Sequence, residues 1–136
     1  MNDIFLAVIL SLVIAQGSKL AMLRIRHMPI SPSALLMTGG MPSAHAALVS
    51  SLLSILVLEQ GLSSLTAIAL VVFIIVIADA VGVRRSVGEE GKALNKIIKQ
   101  EHLKMSEIKY SIGHKPSEAM AGILIGITVS YCIYFF

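Results

Sequence analysis

"LTAIALVVFIIVIADAVGVRR", residues 65–85, is the stretch on which the fold turns. From Leu65 to Ala78 no side chain is charged, and Asp79 is then the first acid before the arginine pair Arg84 and Arg85. A helix rises about 1.5 Å per residue and a bilayer core is about 30 Å thick, so roughly 20 apolar residues cross it. Leu65 to Val83 has that length. In lipid such a segment must be helical, because an isolated strand leaves its backbone groups without partners. The rest of the chain agrees: 56% of the 136 residues are hydrophobic and 14% are charged, against about half and about a quarter in ordinary soluble domains.

Working outward, three further segments read as crossings: Ile4 to Leu23, with Lys19 near its end, the shorter Ala44 to Leu58, and Ser117 to Phe136. No basic residue precedes the first one, so it reads as a retained helix rather than a secretory signal. The expectation is an all-α integral membrane bundle of about four transmembrane helices, a single membrane-embedded domain over residues 1–136. One cysteine, Cys132, allows no internal disulfide. All 11 lysines and arginines fall at or just after the end of the first segment, from Lys19 to Arg26, or between the third and fourth. With four crossings these two loops share a face, which the positive-inside rule assigns to the cytoplasm, leaving both termini outside. The second basic loop, Arg84 to Lys115, carries Leu94, Ile97 and Ile98 at helical spacing. An amphipathic helix lying on the inner leaflet is expected there.

The polar residues of interest gather at the cytoplasmic helix ends. In "GGMPSAH", Gly39 and Gly40 permit close backbone approach, Ser43 is a good N-cap, and His45 falls in the first helical turn, where free N–H groups attract anions. A plain capped helix is the alternative. Lys19 and Arg26 end the first helix, with snorkelling to the interface as the structural explanation. Asp79, so placed in a membrane helix, needs a partner, for which Lys19, Arg84 and Arg85 are candidates. In "GHKPSEAMAG", Pro116 starts a helix and Glu118 lies four residues after His114, a spacing that lets the carboxylate orient the imidazole.

A four-helix bundle would bring these groups around one interfacial pocket suited to a lipid phosphate. Phosphate-monoester hydrolysis needs charge neutralisation, an in-line nucleophile and a proton for the leaving oxygen. Lys19, Arg26, Arg84 and Arg85 serve the first, with Ser43 at the anion-binding helix end. His114, oriented by Glu118, serves as nucleophile and His45 as acid and then base.

These residues resemble the type 2 phosphatidic acid phosphatase and vanadium haloperoxidase superfamily, whose motifs run K-x6-R-P, P-S-G-H and S-R-x5-H-x3-D. Lys19 and Arg26 keep the first spacing, with Pro29 two positions late. "PSAH", Pro42 to His45, changes one glycine, and His114 with Glu118 gives H-x3-E. Ile108 stands at the third motif's arginine position, so Lys109, Arg84 or Arg85 must substitute. With "DAVGVRR" and the "ALN" that ends at Asn95, the chain is similar to the divergent branch described as acid phosphatase/vanadium-dependent haloperoxidase-related. The resemblance covers about Lys19 to Gly126. It implies a phosphatase with a histidine nucleophile, no metal or other cofactor, and vanadate as a transition-state analogue, with Asp79, Gly39, Gly40 and Asn95 supporting the site.

The leading expectation is therefore a lipid phosphatase in a bacterial plasma membrane. It would act on a monoester of the phosphatidylglycerophosphate or phosphatidic acid type at the cytoplasmic face. Its partners would be that substrate and membrane lipids, with no nucleic acid. A non-catalytic anionic-lipid binding or transport subunit is the alternative, and a metal site built from His45, Asp79, His114 and Glu118 is a third reading. Gly122 and Gly126, four apart, offer either a homodimer face or ordinary internal packing.

Overall fold

The computed structural model describes residues 3–25, 27, 40–108, 110 and 113–136, and every regular element among them is helical. Helix α1 runs Asp3–Ile25, α2 Ala44–Gln60, and α3 Ser64–Ala78. A π turn, Asp79–Val83, joins α3 to α4, Arg84–Gln100, and α5 is Pro116–Phe135. Among the described residues three helices are long and apolar enough to cross a membrane: α1, α5 and the unbroken 37-residue rod Ser64–Gln100. With 17 residues, α2 is about 25 Å long, short of a full crossing unless its ends dip below the interface.

Local chemistry sets the helix ends. The Ser43 hydroxyl accepts from the Ala46 N–H at 3.3 Å, and Ser63 does the same for Thr66 at 3.2 Å, satisfying donors that a first turn leaves free. Gly61, at φ 62°, closes α2 by donating to the Val57 carbonyl, a backbone conformation that suits glycine. Proline occupies the first turn of α5, where its missing N–H costs nothing.

Helix α2 is the centre of the bundle, packing on α1, α3 and most extensively on α5. Lipid tails are as apolar as leucine, so membrane helices associate through close packing and hydrogen bonds rather than by escaping water. The core fits that rule, being rich in Ala7, Ala15, Ala46, Ala47 and Ala119, with buried Ser11, Ser50, Ser51 and Ser130. A Cβ added to Gly122 would run into the Ser43 carbonyl oxygen, and one on Gly126 into the Ser50 hydroxyl. Internal packing against α2 thus occupies the glycine pair that also offered a dimer face. Further out, the Ser51 and Ser130 hydroxyls meet at 3.0 Å, and Ser130 also reaches the Ser51 carbonyl at 3.0 Å.

The amphipathic stretch after Arg85 is helical, as its spacing predicts, but it is not a separate surface helix. It continues α3, since no proline interrupts the chain and the π turn absorbs the irregularity without a break. Its buried residues are Gly88, Gly91 and Ile98, while Leu94 and Ile97 stay exposed. The following segment returns along α4. Asn95 exchanges two hydrogen bonds with the Ile108 backbone, at 2.9 and 2.8 Å, and Lys99 pairs with Glu107 at 3.0 Å. Gly91 makes room for Tyr110, whose Cβ would lie 2.6 Å from an added methyl.

Candidate functional site

The site is built around the start of α5. Glu118 accepts from the Lys115 N–H at 3.0 Å, and the same Oε2 lies 3.3 Å from His114 Nδ1. One carboxylate therefore caps the helix and fixes an imidazole. The His114 N–H donates to the Ala80 carbonyl at 3.0 Å, tying the approach to α5 onto the π turn. Gly113 makes that contact feasible, since a Cβ there would sit 2.6 Å from the Arg85 Cα. The His114 side chain is only 6% exposed and that of Glu118 17%, so solvent has little freedom to reorient the pair. The Ser43 N–H donates to the Glu118 carbonyl at 3.0 Å. The "PSAH" and "GHKPSE" segments are thus joined directly at their helix starts.

Beside His114 lies a polar cavity of about 160 Å³ whose wall includes Gly40, Arg85, Gly88, Glu89, Lys92, Gly113, Lys115 and Glu118. Three cationic side chains and two carboxylates line it, and with Glu118 occupied by His114 and the Lys115 N–H, the balance favours an anion. Since Nδ1 meets Glu118, Nε2 is the ring nitrogen left for a ligand.

On the other flank, His45 projects from the first turn of α2 and is exposed. Its ring lies within electrostatic reach of Arg84, His114, Asp79 and Lys19. Arg84 Nε meets Asp79 Oδ2 at 2.5 Å, so Arg84 is the partner that the intramembrane acid requires. In a regular α-helix residues five apart point about 140° away from each other. The π turn brings this pair together, with the Arg84 N–H donating to the Asp79 carbonyl. Lys19 approaches from α1: its Cε lies 3.6 Å from where a Cβ of Gly40 would be, and Gly40 holds φ at 84°. Lys19 also feels the charge of Glu118.

The structure thus gathers Lys19, Gly40, His45, Asp79, Arg84, Arg85, His114 and Glu118 at one end of the bundle. Ser43 has another task than the phosphate binding expected of it, because its hydroxyl caps α2 and it is fully buried. Asn95 clasps the returning loop rather than lining the cavity. Arg26 and Gly39 lie outside the described residues, as does Lys109. Ile108 is held in that clasp by its backbone, so position 108 is not in the cavity wall. Sequence reasoning missed Lys92, Lys115 and Glu89 as wall residues. Counting along α4 would have found Lys92, which lies two helical turns beyond Arg85 on the same face. Among the described residues no three His, Cys, Asp or Glu side chains converge as metal ligands.

Comparison with known proteins identifies the family. The family model described as "Divergent PAP2 family" matches residues 1–129. An uncharacterized membrane protein of Bacillus subtilis (strain 168), YuiD, is 36% identical over 115 residues, with 73% of each chain covered. No solved structure matches. The chain is a helical membrane protein related to the phosphatases of that superfamily.

Proposed function

Because the chain belongs to the divergent PAP2 family, we propose that it is a membrane-embedded lipid phosphatase, hydrolysing a phosphate monoester through a phosphohistidine. The observation that carries this reading is His114, nearly buried, held through Nδ1 by Glu118 and set in the wall of a cavity with three cations. A buried imidazole with one nitrogen fixed by a carboxylate is prepared to use the other as a nucleophile.

In the first step the Nε2 lone pair of His114 forms an N–P bond as the bond from phosphorus to the ester oxygen breaks. His45, protonated, gives its proton to the departing alkoxide, and the lipid alcohol leaves. In the second step water attacks phosphorus, its proton passes to the now neutral His45, and the N–P bond breaks. Orthophosphate is released and both histidines return to their starting states. The cavity cations offset charge on the equatorial oxygens throughout. Glu118 holds the ring and stabilises the positive charge it develops. Asp79 and Arg84 keep a neutralised pair beside His45, so that the acid works next to a dipole rather than an isolated charge.

Substrates of the phosphatidylglycerophosphate or phosphatidic acid type fit an active site on the basic, cytoplasmic side of a bacterial plasma membrane. The test is phosphate release from a panel of lipid monoesters by purified protein without added metal. Wild type should turn over at least one, and His114→Ala should lose about 10³-fold or more while keeping its elution profile. Unchanged turnover in that variant removes the nucleophile assignment. Lipid binding without release by wild type would instead favour an anionic-lipid binding or transport role.

A further inference from the structure

We propose that Lys92 is a phosphate ligand, forming with Arg85 a two-cation clamp on one face of α4 across the cavity from His114. Three observations converge on it. Arg85, Gly88 and Lys92 follow one another at i, i+3 and i+7, which aligns them on a single helical face, and all three line the same cavity as His114. The middle position is glycine, so no side chain fills the space between the two cations.

On this helix Arg84 and Lys99 are committed to carboxylates, while Lys115, the third cation of the wall, comes from the start of α5. Arg84 is bound to Asp79 at 2.5 Å and, one residue before Arg85, is turned about 100° around the helix, toward His45. Lys99 is paired with Glu107, and Lys96 is not in the cavity wall. Among the described residues Lys92 has no carboxylate at ion-pair distance. Glu89, the acid within its helical reach, pairs with Arg85 at 3.1 Å. That pair is exposed on both sides, so an arriving dianion can compete with it at little cost. Arg85 then offers a planar fork to two oxygens and Lys92 a mobile point charge to the third. The ligand chemistry is a phosphate dianion, either the headgroup of a lipid monoester or free orthophosphate.

For turnover this inference rests on the phosphatase reading; for binding it does not. The test uses the full chain in detergent with Lys92→Met, Lys92→Arg and, as control on the same helix, Lys96→Met. Thermal shift is measured against orthovanadate and orthophosphate, and binding and phosphate release against dioleoyl phosphatidic acid in mixed micelles. In Lys92→Met the half-saturating orthovanadate concentration should rise about tenfold or more, and kcat on the lipid should fall more than KM changes. Lys92→Arg should recover much of both, and Lys96→Met should match wild type. Loss of the lipid response alone would assign the clamp to the headgroup, and loss of both to phosphate from either source. If wild type releases no phosphate yet binds orthovanadate through Lys92, the clamp stands and the phosphatase reading falls. If Lys92→Met binds and turns over as wild type does, or wild type binds neither ion nor lipid, the clamp is overturned.

Discussion

Glu118 shows how much one side chain carries at this site. Its Oε2 receives the Lys115 N–H and faces His114 Nδ1, so helix start and imidazole orientation share one atom. Glutamine also serves in a capping box, which separates the two tasks. Glu118→Gln should keep the melting temperature within a few degrees of wild type, yet lower phosphate release by roughly 10²-fold, because an amide can hold the ring in the wrong tautomer. Glu118→Ala should lose both stability and activity. Equal activity in Glu118→Gln and wild type would reduce the contact to a helix cap. The i, i+4 spacing of this pair is legible in the sequence, whereas the partner of Asp79 is not. Three cations competed for that acid, and the π turn selected Arg84 by changing which residues lie above one another.

At the scale of elements, the contact between α2 and α5 is the joint that sets the site. It depends on Gly122 and Gly126 lying against α2 backbone and on the buried serines across from them. Gly126→Leu should force the helices apart and abolish the monodisperse folded protein in detergent size exclusion. Ser130→Ala should be mild, on the order of 0.6 kcal/mol, the average for interhelical hydrogen bonds in membranes. A Gly126→Leu protein that elutes and melts like wild type would show that this contact does not hold the bundle. The two glycines four apart are readable in the sequence as a packing surface, but not which helix they meet. That choice belongs to the tertiary packing, which sets Gly122 and Gly126 against the Ser43, Ala47 and Ser50 stretch at the start of α2. The rod from Ser64 to Gln100 taught the converse lesson. Composition changes sharply at Arg84, which reads as the end of one element and the start of another, yet hydrogen bonding continues through the π turn because no residue there breaks a helix.

For the whole molecule, the positive-inside rule applied to the basic loops predicts that the end holding His45 and His114 faces the cytoplasm, an orientation that labelling tests. In a Cys132→Ser background, Leu62→Cys in the α2–α3 hairpin, where Leu62 is 97% exposed, should react with an impermeant maleimide added outside intact cells. Met105→Cys in the returning loop should react only after permeabilisation. The opposite pattern would put the site on the outer face and turn attention to substrates presented there. Hydropathy, charge placement and helix-end residues are properties of the chain that act over one or two turns, and they determined by themselves the apolar helices, their ends, and the clustering of Lys19, His45, Arg85, His114 and Glu118. Only the tertiary structure decided that Arg84 and Arg85 serve different flanks, that Ser43 is consumed as a cap, and that Lys92 borders the cavity. Those assignments depend on helix phase and on which backbones touch, and contacts between residues far apart in the chain leave no local trace in its order.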